Sequence, residues 1–234
     1  MSARAWRVAA VLIAAAVVAV VAVVLSASSP WDQAPPVGPG RNAPAQVAAM
    51  LRGVPQSGTV LGDPSAPVTL DYYGDLECPI CREFSTTTLP GLITDYVRPG
   101  ELKIRYLSLE TASRDEATFL AQQTAAYAAG RQGRAWDFIE LFYLEQGQED
   151  TGYVTPRFLT GIATQIPGLA VSAWSQERFE PALTAQVQDE SRSFAALGLP
   201  VATPTLLVRG PRGEKGVQEA ATESQVAQLI AAVS

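Results

Sequence analysis

The feature that most constrains this chain is where its strand patterns fall. Strand-like segments lie on both sides of residues 113 to 197, and those residues read as helix. On the near side, Val68 to Tyr73 is β-branched and aromatic. ELKIRYLSLE, 101 to 110, alternates Leu102, Ile104 and Tyr106 with polar neighbours. On the far side, TPTLLV, 203 to 208, predicts a third strand, and Gly216 to Ala220 a shorter fourth. Neither group of strands can bury a core alone, so both must enter one sheet. The order is βαβ, then helices, then ββα: an α/β fold with a helical insertion.

Punctuation residues divide the rest. Ala45 to Arg52 predicts a short helix, and Arg82 to Val97 a longer one closed by Pro99-Gly100. In the insertion, Ser113 with Glu116 reads as a capping box, and Gly130 ends the helix it opens. RAWDFIELFYLEQ follows with helical periodicity. Thr155-Pro156 reads as an N-cap with proline at the first helical position. Pro181 opens a last inserted helix and Gly198 stops it, while Thr222 with Gln225 caps a terminal helix to Val233. No internal repeat is visible.

Ahead of the domain, Val8 to Leu25 is apolar and uncharged. As a helix it would be roughly 27 Å long at ~1.5 Å per residue, close to a bilayer core. Arg4 and Arg7 precede it, so residues 1 to 7 are expected to be cytoplasmic and the rest exported. The run exceeds a usual signal-peptide core, which favours a retained transmembrane anchor. Ser26-Ala27-Ser28 nonetheless offers a cleavage site, and secretion after cleavage is the alternative. Either places the domain where disulfides persist. Residues 26 to 44, rich in Pro, Gly, Ser and Ala, read as a flexible linker.

Composition removes several functions. The formal charge is −6, which repels phosphates and argues against nucleic acid as a partner. Histidine is absent. No Ser-His-Asp triad, Cys-His pair or His-ligated zinc can be built within the chain.

The chain has 2 cysteines: Cys78 and Cys81, in DLECPICREF. A zinc site needs about four ligands, and two thiols do not supply them. A disulfide closing a two-residue loop would constrain little of the unfolded chain. A redox pair remains. A strand followed by C-x-x-C at a helix start places the first thiol on free N–H groups and the helix dipole, which favour a thiolate. The second thiol, one turn on, can resolve a mixed disulfide.

VPQSGTVLGDPSAPVTLDYYGDLECPICREF, from residue 54, resembles the opening of the DsbA family of extracytoplasmic thiol-disulfide oxidoreductases, most of all its membrane-anchored Gram-positive type. LGLPVATPTLLV, from residue 197, resembles that family's cis-proline loop. The resemblance covers residues 55 to 234 and implies a thioredoxin fold with a helical insert at about 113–197. It implies Cys78 as nucleophile, Cys81 as resolving thiol, and Pro79 and Ile80 as the dipeptide that tunes the reduction potential. Thr203 and the cis-bonded Pro204 would hold the substrate backbone. No cofactor beyond the cysteine pair and no metal is implied. The implied partners are unfolded or partly folded secreted proteins and a membrane redox protein that resets the thiols. Oxidation of substrates is the expected direction. A reductase or isomerase on the same scaffold is the alternative, and a Cu(I)-binding thiol module a further one. Two positions depart from the family. Ile80 stands where its best-studied members carry histidine. Where relatives bury an acid before the first cysteine this chain has Tyr72, leaving the neighbouring Asp71 as a candidate proton relay. Asp75, Glu77 and Arg82 are expected to be exposed charges.

Overall fold

The computed structural model describes residues 42–113, 115–218 and 221–234. Residues 1–41, with the apolar run and most of the predicted linker, lie outside them. Among the described residues no helix is long and apolar enough to cross a membrane.

The two ends of the domain meet in one sheet, as their patterning requires. Its six strands run in the order β1-β2-β4-β3-β5-β6. The central strand β3, Val68–Gly74, pairs in parallel with β4, Leu102–Ser108, from Val68 opposite Leu102 to Gly74 opposite Ser108. On its other side it pairs antiparallel with β5, Thr205–Gly210, with Tyr72 opposite Leu206. The outer strand β6, Gly213–Gln218, returns antiparallel along β5. Two short strands were not anticipated: β1, Gln56–Ser57, and β2, Val60–Leu61, which extends the sheet beyond β4. At two residues each they are too short to show a period.

Alternation along β3 gives the sheet two different faces. Val68, Leu70 and Tyr72 enter the main core with Phe84, Trp136 and Val226. Tyr73 enters a smaller cluster with Leu107, Leu109, Phe194 and Leu207.

The helices depart from expectation at their ends. Helix α1 spans Ala43–Leu51. The single helix expected from Arg82 to Val97 begins earlier and is broken into α2, Pro79–Thr87, α3, Leu89–Leu92, and a π-helical turn, Ile93–Val97. The break has a physical reason: Pro90 has no N–H to continue the ladder. The inserted helices are α4, Glu116–Arg131, α5, Ala135–Leu144, α6, Pro156–Thr164, α7, Val171–Glu177, and α8, Pro181–Ala195. The cap of α4 is Asp115, which accepts from the N–H of Thr118; the expected capping box at Ser113 is not formed. Thr155 caps α6 as expected, and Thr222 and Gln225 form the capping box of α9, Glu223–Val233. Trp136 on α5 donates to the carbonyl of Thr59 at 2.9 Å, and Trp174 on α7 to that of Ala125 at 2.8 Å. Both indoles are buried with their donors satisfied, so they fasten the insertion at no cost in unpaired polar groups.

Candidate active site

The core strand β3 ends at Gly74, and the chain needs only Asp75 to Glu77 to turn into α2. Cys78 is the N-cap of that helix, in an extended backbone conformation, with Pro79 at the first helical position. Proline fits there because its missing N–H would have had no helical partner. The next amides are free, and that of Cys81 points at Cys78 Sγ at 3.4 Å. A sulfur in this position takes the place that a serine or aspartate oxygen takes in an ordinary cap.

The two thiols are free and differ in environment. Cys78 is held down to a pKa of about 6. The hydrogen bond from the Cys81 thiol contributes most, burial opposes it, and Thr203 and the amides of Cys81 and Ile80 add to the lowering. Cys81 is wholly enclosed, and burial pushes its thiol well above the ordinary value, with the bond to Cys78 acting in the same direction. One sulfur is a thiolate near neutral pH and its neighbour is a protonated thiol. That is the division of labour an attacking and a resolving cysteine need.

The loop before β5 faces this pair. The Thr203–Pro204 bond is cis, and the Thr203 carbonyl lies 3.5 Å from Cys78 Sγ. The Thr203 hydroxyl bonds to that of Thr111, which ties the loop to the segment after β4. Ile80 stands half exposed beside the nucleophile, at 42%. The structure therefore brings Cys78, Pro79, Ile80, Cys81, Thr203 and Pro204 together.

Asp71 does not join them. It is on the opposite face of β3 from Tyr72, buried, and bonded to Arg105 through two 2.8 Å contacts and to Arg209. The side chain that reaches toward the thiols is Tyr72, whose hydroxyl lies 3.4 Å from the Cys81 carbonyl and 3.1 Å from the Tyr143 hydroxyl. A one-residue offset along a strand is enough to send an acid to the wrong face.

Asp75 and Glu77 are also not the exposed charges that were expected. Asp75 is fully buried. It accepts from the amides of Glu77, Thr111, Ala112 and Ser113, from the Ser113 hydroxyl and from Gln122. Glu77, likewise buried, has its Oε2 2.8 Å from the same hydroxyl, whose single proton the two carboxyl groups share, and burial raises the Glu77 carboxyl pKa. These bonds fix the turn that delivers Cys78 to the helix. Gln146 adds to it by donating to the carbonyls of Leu76 and Cys78. Ser113, Gln122 and Gln146 lie 35 or more positions away in sequence, and Ser113, read locally as a helix cap, instead turns its hydroxyl to Asp75 and Glu77. Gly74 is required by the same packing: a Cβ there would come within 2.8 Å of the Tyr106 ring and 3.2 Å of the Tyr143 hydroxyl.

Comparison with known proteins reaches the same place. The thioredoxin family model matches residues 55–232. The probable disulfide bond formation protein D of Bacillus anthracis is 25% identical over 64% of this chain and 69% of its own length. The disulfide bond formation protein D of Bacillus subtilis is 25% identical over 64% of this chain and 66% of its own. Among solved structures, oxidised BdbD from Bacillus subtilis superposes with a TM-score of 0.64 at 22% identity, covering 76% of this chain and 95% of that one. On this match the chain belongs to the thioredoxin family, as a DsbA-like protein thiol-disulfide oxidoreductase.

Proposed function

We propose that the protein oxidises secreted or envelope polypeptides outside the cytoplasm by passing on a Cys78–Cys81 disulfide. The observation that carries this reading is Cys78 at the start of α2, where its sulfur meets the Cys81 amide at 3.4 Å and faces the cis-proline loop while Cys81 is buried behind it; the lowered pKa of Cys78 beside the raised one of Cys81 agrees with it. A substrate thiolate attacks Cys78 Sγ, the Cys78–Cys81 bond breaks, and Cys81 leaves and takes a proton. A second substrate thiolate then attacks the substrate sulfur of the mixed disulfide. The substrate disulfide forms and Cys78 leaves as a thiolate. The protein ends reduced by two electrons and the substrate oxidised by two. Cys78 is a good leaving group because its thiolate is stabilised. Thr203, whose carbonyl already faces Cys78, holds the incoming backbone. A membrane redox protein that withdraws the two electrons would complete the cycle, and the apolar run at Val8 to Leu25 would keep the domain at that membrane. No cofactor beyond the thiols takes part.

Equilibration against glutathione tests the direction. A stabilised reduced state makes a disulfide oxidising, so the pair is expected above the thioredoxin value of about −270 mV. A potential at or below that value would assign the protein to reduction instead. The dipeptide provides a second expected result. Ile80→His adds a partly protonated imidazole at an exposed position in the first helical turn. Each unit by which it lowers the thiol pKa should raise the potential by about 30 mV. An unchanged or lower potential, by the same equilibration, would show that the helix amides and the Cys81 thiol already set the poise.

A further inference from the structure

A cavity of about 240 Å³ lies where α1, α2, α3 and α5 meet, and none of the residues lining it belongs to the thiol site. Val47, Met50, Pro90 and Leu144 make its wall apolar. Gln46 and Thr86 on that lining are exposed, while Ser85 and Glu140 are buried. Glu140 is 2% exposed, and no other lining residue carries a charge. One of its carboxyl oxygens accepts from the Ser85 hydroxyl at 2.6 Å, and the other is buried without a partner. A link between α5 and α2 needs no charge, since a glutamine carbonyl would accept the same bond. A buried acceptor left unpaired is costly, and a carboxylate oxygen more so than a neutral one. The free oxygen therefore calls for a donor that the described residues do not supply.

We propose that this cavity binds an aliphatic primary ammonium, the group that ends a lysine side chain or a free alkyl amine, with its nitrogen on the free oxygen of Glu140 and its methylenes against Val47, Met50, Pro90 and Leu144. The lining selects that chemistry. A calcium or magnesium ion needs about six oxygen ligands, and one carboxylate in an apolar wall does not provide them. A guanidinium binds a carboxylate best through both oxygens, and Ser85 already holds one. A quaternary ammonium is recognised by aromatic faces, and no aromatic residue lines the cavity. An ammonium is a compact donor of three hydrogens. One goes to Glu140, and the side-chain oxygens of Ser85, Thr86 and Gln46 line the same space for the others. Its alkyl chain removes apolar wall from water. Burial raises the Glu140 carboxyl to about 8, so below that pH binding displaces a proton and above it does not. No other titratable side chain lines the cavity from α1, α2, α3 or α5, and an alkyl ammonium keeps its own proton to about pH 10. Affinity should thus follow the ionisation of this one carboxyl. The site is separate from thiol exchange and does not depend on it.

The test is a titration of the full-length, methyl-labelled protein with n-butylammonium chloride at constant chloride, read by NMR from the methyl groups of Val47, Met50 and Leu144. At pH 9 saturable shifts confined to these methyls are expected, with a Kd on the order of 1 mM, well inside the ceiling for a ligand of that size. At pH 6, where about one Glu140 in a hundred is ionised, the Kd should be about 100-fold weaker. Glu140→Gln should bind the ammonium as weakly at pH 9 as at pH 6. The pH series on the parent protein gives the same reading without any substitution. Cadaverine and Nα-acetyl-lysine methylamide then separate the two sources of the group. Tighter binding of cadaverine assigns the site to free amines, and tighter binding of the lysine derivative assigns it to a lysine of a polypeptide. Absence of saturable shifts at these methyls at pH 9 overturns the proposal and leaves the free oxygen to water. An affinity that is equal at the two pH values, or unchanged in Glu140→Gln, also overturns it, because the cavity would then bind the alkyl chain alone.

Discussion

Cys78→Ala is expected to abolish exchange with protein substrates, whereas Cys81→Ala should accumulate mixed disulfides with them. The argument is electrostatic and steric together. With a pKa of about 6, Cys78 is roughly nine-tenths thiolate at pH 7. Cys81, raised well above its ordinary value by burial, stays protonated at that pH. It also has no solvent-exposed surface. Loss of the first thiol should therefore cost on the order of 100-fold or more in exchange rate, and the remaining one cannot substitute for it. Loss of the second removes the group that resolves the intermediate. Non-reducing electrophoresis after mixing each variant with a reduced, unfolded protein reads both outcomes. Trapping by the Cys78→Ala protein would reverse the assignment. The same asymmetry predicts a pH profile. Alkylation of Cys78 in the reduced protein should be fastest above pH 7, reach half its plateau near pH 6 and fall about tenfold per unit below that, because only the thiolate reacts. A midpoint near the ordinary thiol value would show that the helix amides and the Cys81 thiol do not hold the charge.

Much of this site was legible in the sequence because its chemistry is local. The spacing of Cys78 and Cys81, the strand before them and the proline at the helix start lie within one short segment, and the Thr203-Pro204 landmark could be joined to it by resemblance. The shared sheet was legible for a different reason: neither end of the domain could bury its strands alone. What could not be read is long-range. Asp75 and Glu77 read as solvated charges because nothing near them in sequence announces a partner. Their partners, Ser113 and Gln122, come from the start of the insertion. Burial of a polar group depends on what folds over it, and that is a property of the tertiary structure. The short strands β1 and β2 and the break at Pro90 were lost to weaker signals. Two-residue strands have no period, and a proline inside an amphipathic pattern can kink a helix as readily as end it.

The same limit hid Glu140, whose buried carboxyl is expected to make stability depend strongly on pH. It sits on α5 at 2% exposure. One carboxyl oxygen accepts from the Ser85 hydroxyl at 2.6 Å, and the other has no partner. The adjoining cavity, about 240 Å³, is lined by Val47, Met50, Pro90 and Leu144 among others, and no lining residue besides Glu140 carries a charge. Burial raises the carboxyl to about 8 against an ordinary 4.5, with Ser85 opposing only in part. The sign follows directly. Between those two values the native state holds a proton that the unfolded chain has lost, so stability declines as pH rises. At ~1.4 kcal/mol per unit the decline reaches roughly 3 kcal/mol by pH 7 and levels off above pH 8. Glu140→Gln keeps the shape and the bond to Ser85 without the charge. Relative to the parent it should gain about 4 kcal/mol between pH 5 and pH 9, and the cost of the amide's own unpaired donor lowers both ends of that range equally. Urea denaturation of both proteins at the two pH values decides, and a difference that does not grow with pH would mean that water or a rearranged Ser85 already relieves the buried charge. Ser85 is one turn beyond Cys81 on α2. The Ser85 hydroxyl favours the ionised carboxylate and offsets part of the cost of its burial, so Glu140 joins α5 to the helix whose start holds Cys78.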